Sequence, residues 1–151
     1  MYIAVSGPDS VQSALEIGEG MCTVEPMPNL VQQWLSGGGD PAQTWGQMAL
    51  SWDDDRDRAV KLAYDRFRFG MPGWSVMAEL PEVRSFAAAT KLYRPEDVAE
   101  QVPSGADAAT IVEKVSSWID AGYENLAVVQ IADDLEGFLR AWERAIRPQL
   151  P

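Results

Sequence analysis

Four short apolar runs, each followed by a segment with helical spacing, constrain this chain more than any other feature. The runs are residues 2–6 (Tyr-Ile-Ala-Val-Ser), 21–25 (Met-Cys-Thr-Val-Glu), 45–52 (Trp-Gly-Gln-Met-Ala-Leu-Ser-Trp) and 126–131 (Leu-Ala-Val-Val-Gln-Ile). Their length and β-branched content read as strands, and 126–131 is apolar enough to be expected fully buried. Between and after them, apolar residues recur at the spacing of one helix face. Examples are Val11, Ala14, Leu15 and Gly18, then Leu30, Val31, Trp34 and Leu35, then Ala59, Leu62, Ala63 and Phe67. Two later faces carry Ile111, Val112, Val115, Trp118 and Ile119, and Leu135, Phe138, Leu139, Trp142 and Ile146. Apolar strands alternating with amphipathic helices predict a parallel sheet with right-handed crossovers. The order is β-α-β-α-β-α, a helical insert, then α-β-α. We read residues 1–151 as a single α/β domain, either half of an eight-stranded TIM-type (β/α)8 barrel or a small open sheet.

The punctuation agrees with that order. Gly7-Pro8 turns the first strand into a helix whose first turn tolerates proline, and Pro26 closes the second strand. Gly37-Gly38-Gly39 stops the second helix. Asp53-Asp54-Asp55 can cap the third, where consecutive acids stabilise free N–H groups and the helix dipole better than they would serve as a metal cluster. Residues 70–105 form an irregular insert with short helical pieces near 75–79, 82–92 and 95–102. Ser104 or Asp107 caps the next helix, Gly122 ends it, and Pro148 stops the last one.

The side chains that are missing limit the chemistry. The chain has no histidine and one cysteine, which removes Ser-His-Asp and Cys-His catalysis and zinc sites built from His and Cys. Proton transfer would fall to Asp, Glu, Tyr, Lys, water or a cofactor, and the catalytic groups are expected on another chain or segment. With 12 Lys+Arg against 23 Asp+Glu, the net charge is −11. Such a surface repels phosphate backbones and anionic lipid, so neither nucleic acid nor a membrane is an expected partner. No run reaches the roughly 18 apolar residues of a membrane span, and Met1–Val5 lacks the basic start of a signal peptide. A lone Cys22 fits a reducing compartment, and the expected location is cytoplasmic.

Several stretches together resemble one family. Tyr-Ile-Ala-Val-Ser-Gly-Pro-Asp-Ser-Val at 2–11 and Ile-Gly-Glu-Gly-Met-Cys-Thr at 17–23 resemble the fifth and sixth β/α units of the bacterial luciferase-like superfamily. Ala-Leu-Ser-Trp-Asp-Asp-Asp at 49–55 is similar to its seventh unit. Arg-Pro-Glu-Asp-Val-Ala-Glu at 94–100 and Asp-Ala-Gly-Tyr-Glu-Asn-Leu-Ala-Val-Val-Gln at 120–130 resemble its long insert and eighth strand. The most similar branch is that of deazaflavin-dependent oxidoreductases related to glucose-6-phosphate dehydrogenase. The resemblance implies the C-terminal half of a barrel that holds the phosphate of a flavin-type cofactor, either FMN or the deazaflavin coenzyme F420. It also implies hydride transfer to or from an organic substrate. In that family the first four strands supply the ring-facing residues, and nothing here corresponds to them. Where the sugar-phosphate branch carries basic residues, this chain has Val24, Glu25 and Met27, then Val76, Met77 and Gln101, which argues against glucose-6-phosphate.

The expected cofactor-binding residues are Val5, Ser6, Gly7 and Pro8, with Cys22 and Thr23. Ser6 and Gly7 end a parallel strand and open a helix, so amides, a hydroxyl and the helix dipole converge on one spot, on the face where barrel sites lie. The same pattern is also that of a plain βα turn, and Cys22 also reads as packing. Glu25, Met71, Trp74 and Met77 are candidates for a substrate pocket, the last three because the family's insert covers the barrel mouth. A solvated loop carboxylate and a small core under the insert would look alike in sequence. Trp34, Trp118 and Trp142 read as core or interface. Half a barrel leaves two strand edges and an inner face open, so a homo-oligomer or a missing N-terminal half is expected to complete it. The alternative to an oxidoreductase half is a non-catalytic half-barrel that self-associates as a structural or assembly protein. An open flavodoxin-like sheet fits less well, because its first βα turn would be richer in Ser, Thr and Gly.

Overall fold

The computed structural model describes residues 1–151. Its elements run β1 (Tyr2–Ala4), α1 (Pro8–Ile17), β2 (Gly20–Thr23), α2 (Pro28–Ser36), β3 (Thr44–Leu50) and α3 (Arg56–Phe67). They continue with α4 (Trp74–Met77), α5 (Val83–Ala89), α6 (Pro95–Gln101), α7 (Ala108–Asp120), β4 (Asn125–Gln130) and α8 (Leu135–Ala141). The strands form one sheet in the order β1-β2-β3-β4, with β1 and β2 parallel and β2 and β3 parallel. Four parallel strands with crossover helices match half of a TIM-type barrel, as the alternation predicts. The chain divides into two compact units: residues 1–48, 112–129 and 150, and residues 49–111, 130–149 and 151.

In the first unit the sheet has two unlike faces. Met21, Thr23, Thr44, Gly46 and Met48 are buried and face the helices. There they meet Val11 and Ala14 of α1, Leu30, Val31 and Trp34 of α2, and Val115 and Trp118 of α7, all buried. Each such large side chain contributes roughly 1.5–3 kcal/mol on leaving water. Gly46 is glycine for a reason: a Cβ there would lie 2.4 Å from the Trp118 ring and 3.0 Å from Leu126. The opposite face is bare. Ala4, Cys22 and Trp45 are in register across three strands, and Tyr2 stands edge-on to Trp45 at 6.1 Å. Gln47 continues that side of β3 and is exposed. Because Leu126 sits on the Gly46 side, Ala127 and Val129 lie with the bare face, and both are exposed.

Two sequence expectations change here. Strand 126–131 is half-exposed rather than buried, because β4 is the last strand of the sheet and has a neighbour on one side only. Leu135 and Leu139, expected on the buried face of the closing helix, are 53% and 52% exposed. That helix keeps α geometry only to Ala141, then widens into a π segment over Trp142–Ile146, in which Ile146 is buried.

In the second unit, Asp55 caps α3 by accepting from the amides of Asp57 and Arg58. α3 packs on α6, and Ala63, Met71, Val98 and Val102 form a core with Tyr64, Phe67, Tyr93 and Ile131 against it. Asp107 caps α7, accepting from the Ala109 amide and the Thr110 hydroxyl. The Ser104 hydroxyl instead donates to Val102. Within the insert Phe69, Trp74, Val76, Val83 and Leu92 remain exposed.

Candidate functional site

The turn after β1 is built from Val5, Ser6, Gly7 and Pro8. Val5 is buried, and its amide extends the ladder to the Cys22 carbonyl at 2.8 Å. Ser6 and Pro8 are exposed and Gly7 is half-exposed. Nothing stands within 4 Å of where a Gly7 side chain would be, so a ligand can reach the main chain there. The amides of Ser6 and Gly7 converge, as the sequence suggests, but on a protein oxygen. Both donate to Ser10 Oγ, at 3.1 and 3.2 Å, while that hydroxyl donates to the Gly7 carbonyl at 2.8 Å. Ser10 therefore occupies the point where an anion's oxygen would sit. Sequence reasoning missed it, because Gly7 at the N-cap has no side chain and the Ser/Thr-x-x-Glu/Gln signature of a capping box is absent, although Ser10 makes the back-bond of one. The first-turn amides of Asp9 and Ser10 have no carbonyl four residues back inside the helix.

Cys22 and Thr23 part company. Cys22 lies on the bare face beside Ala4 and Trp45, and partial burial pushes its thiol pKa up. Thr23 points into the covered face and is buried. Its hydroxyl lies 2.8 Å from the Glu25 carbonyl and 2.7 Å from the Tyr123 hydroxyl, and the Met27 amide is 3.3 Å from the same phenol oxygen. One proton per hydroxyl leaves one consistent assignment: Met27 donates to Tyr123, Tyr123 to Thr23, and Thr23 to Glu25. Burial, only partly offset by these bonds, pushes the Tyr123 pKa up and keeps the phenol protonated. This relay fixes the end of β2 and leaves the Thr23 hydroxyl committed. Val24 and Glu25, just beyond the strand, are exposed.

In the second unit Met71 belongs to the core, Met77 is half-buried and Trp74 is 60% exposed. None of the three lines the surface cavity of that unit, about 490 Å³ between α3 and α6, which is lined instead by Arg56, Asp57, Lys61, Pro95, Glu96 and Glu100. At the end of β3, the Arg58 guanidinium grips Asp53 with two bonds of 2.7 Å, and the Asp55 amide adds a third at 2.8 Å. Arg58 holds the Asp53 carboxyl below the usual carboxylate range. Gln130, also unforeseen, clamps the Trp52 main chain, its amide accepting from the nitrogen at 2.8 Å and donating to the oxygen at 2.9 Å.

Charge is unevenly spread along the chain. No Lys or Arg precedes Arg56, and Lys114 is the sole basic side chain of the first unit. From the first unit itself, an anion at the Ser6–Gly7 turn would meet neutral donors and a helix dipole.

The architecture is that of half an eight-stranded barrel, and solved barrels show the same likeness. The chain is similar to an F420-dependent secondary alcohol dehydrogenase solved with an F420-acetone adduct, at TM-score 0.71 and 18% identity, over 99% of this chain and 48% of that one. It is similar to the coenzyme F420 dependent tetrahydromethanopterin reductase from Methanopyrus kandleri at TM-score 0.63 and 20% identity, covering 99% and 50%. Apo-MsnO8 follows at TM-score 0.55 and 15% identity, covering 98% and 50%. The chain thus spans about half the length of each structure. No family model and no curated protein matches the sequence. At these identities the likeness shows the fold alone, half of such a barrel. No helix is long and apolar enough to cross a membrane.

Proposed function

We propose that residues 1–151 act as one half-barrel domain, the cofactor-phosphate half of a luciferase-like oxidoreductase that uses the deazaflavin coenzyme F420 or, alternatively, FMN. The observation that carries this reading is the match, over 99% of the chain, to barrels whose names specify coenzyme F420. The open Gly7 turn at the end of a parallel strand supports it locally. Ser6 and Gly7 would give the phosphate two amides and a hydroxyl, with the Ser10 hydroxyl yielding its place to a phosphate oxygen. Val5 and Pro8 would shape the turn, Cys22 would stand below it, and Thr23 would hold the neighbouring strand end through Tyr123. Glu25 in the first unit and, separately, Met71, Trp74 and Met77 in the second are the candidates for touching an organic substrate. When bound, the cofactor supplies hydride transfer, and the chain's own residues supply position and electrostatics. Within the class, the glucose-6-phosphate dehydrogenase-related branch supplies the cofactor analogy but not its sugar phosphate. Catalysis requires the ring-facing half, on further chain or a second polypeptide in the cytoplasm.

The test is a fluorescence titration with F420 and with FMN on protein of known mass. Saturable binding lost in Ser6→Asp, which aims a negative charge at the phosphate position, is the expected result. A well-folded protein that binds neither cofactor sinks the reading. A second reading, a non-catalytic half-barrel that self-associates, is favoured by a specific observation. The convergent amides are already satisfied by Ser10, and no cation but Lys114 lies in that unit.

A further inference from the structure

The bare sheet face is where the second reading can be made concrete. It presents Tyr2, Ala4, Cys22, Trp45, Gln47 and Val129, none of them charged, on a chain in which 23% of residues are charged. Tyr2, Trp45 and Val129 are 46%, 36% and 40% exposed. Large side chains left in water on a charge-free sheet face mark a face made to be covered. The strands at either end of the sheet, β1 and β4, each lack a neighbour on one side, so each offers a row of main-chain donors and acceptors. Solved barrels twice as long accommodate this fold as one half, and in an eight-stranded barrel the inner face of one half meets the inner face of the other.

We propose that a second copy of this chain covers that face, with β1 of each copy beside β4 of the other, closing an eight-stranded parallel barrel about a two-fold axis. A two-fold along the barrel axis keeps all strands parallel and uses both open edges at once. The bare face itself carries no charged side chain to desolvate, and salt screens the mutual repulsion of the acidic groups elsewhere. Trp45 on an inner strand and Tyr2 on the edge strand that meets the partner's β4 are the expected anchors, both being large and amphipathic. Every strand then ends at the same mouth, so two Ser6–Pro8 turns share it. The inference refines the self-associating reading and does not depend on cofactor binding.

The experiment is light scattering and native mass spectrometry at about 10 μM, a concentration at which a micromolar dimer is mostly assembled. Far-UV circular dichroism and Cys22 labelling kinetics are followed alongside. The expected species has twice the mass of the 16.6 kDa chain, with Cys22 labelled several-fold more slowly than on dilution to monomer. Trp45→Glu should yield a folded monomer with fast labelling. Should that variant unfold, Val129→Lys on the edge strand carries the same test. A folded wild-type monomer with a freely reactive Cys22 overturns the proposal, and it points to a different polypeptide as the missing half. A dimer that survives both substitutions with Cys22 still reactive overturns it equally. Cofactor titration is read separately, so a dimer without cofactor binding defeats the oxidoreductase reading and leaves this one standing.

Discussion

Gly46→Ala tests the packing that holds β3 against α7. The added methyl would lie 2.4 and 2.5 Å from two carbons of the Trp118 ring and 3.0 Å from Leu126 Cδ1. Carbon atoms rest at about 3.5–4.0 Å, so the ring must retreat by about 1 Å. Trp118 is 1% exposed, and a close-packed interior offers little room for that retreat. Overpacking of this kind costs about 1–3 kcal/mol, while restricting the unfolded chain gives back about 0.4–1 kcal/mol. The net expectation is a loss of about 1–2 kcal/mol, or roughly 2–8 °C in Tm for a chain of this size. Urea denaturation should be followed by far-UV circular dichroism at one protein concentration, because six tryptophans confuse fluorescence and any self-association shifts the midpoint. Repeating the substitution in a Trp118→Leu background removes the obstructing ring, and there the methyl should be neutral or favourable. A wild-type midpoint for Gly46→Ala, or the same loss in both backgrounds, would refute the packing argument.

Three further outcomes follow from the site. Thr23→Val breaks the relay through Tyr123 and should cost about 1–3 kcal/mol; adding Tyr123→Phe should cost less than its effect alone, as read by denaturation of the double mutant. Asp53 has its carboxyl pKa lowered by Arg58, so its contribution is present above the unfolded carboxylate range and is lost as pH falls through the folded pKa. The stability advantage of wild type over Asp53→Asn should therefore be full at neutral pH and shrink below about pH 4, and a constant gap in acid titrations would contradict it. Binding of F420 should hold steady or tighten as salt rises, because an acidic chain with neutral donors at the turn repels the anion at long range. A steep loss of affinity with salt, measured by fluorescence titration, would instead reveal a cationic clamp.

Much of the fold was legible because each element carries its own punctuation. Pro8 and Pro28 start α1 and α2, Asp55 and Asp107 cap α3 and α7, and Gly122, at φ 90°, ends the turn after α7. These are local signals, readable within one turn of chain. The exposure of β4 and of Leu135 and Leu139 was not legible, since an apolar strand reads the same at the middle of a sheet and at its edge. At the turn, Ser6 and Gly7 were readable from strand-end position, but the claim of Ser10 on their amides depends on a side-chain torsion. Thr23 was placed at the right strand end yet faces the helices, and its partner Tyr123 lies 100 residues away. The pairing of Gln130 with Trp52 spans 78 residues. Contacts of that separation leave no trace in local spacing.

The lopsided placement of basic side chains has a practical side. Trypsin cuts after lysine and arginine, so it finds no site in the segment that carries β1, α1, β2, α2 and β3. Digestion of the native protein reports on the insert, where Arg84, Lys91 and Arg94 are exposed, and on the helices beyond it. Amine-directed cross-linkers likewise have a single lysine, Lys114, to attack in the first unit. The first 55 residues offer no lysine or arginine to these probes, and maps of their interactions need glutamyl-specific proteases and carboxyl-directed reagents.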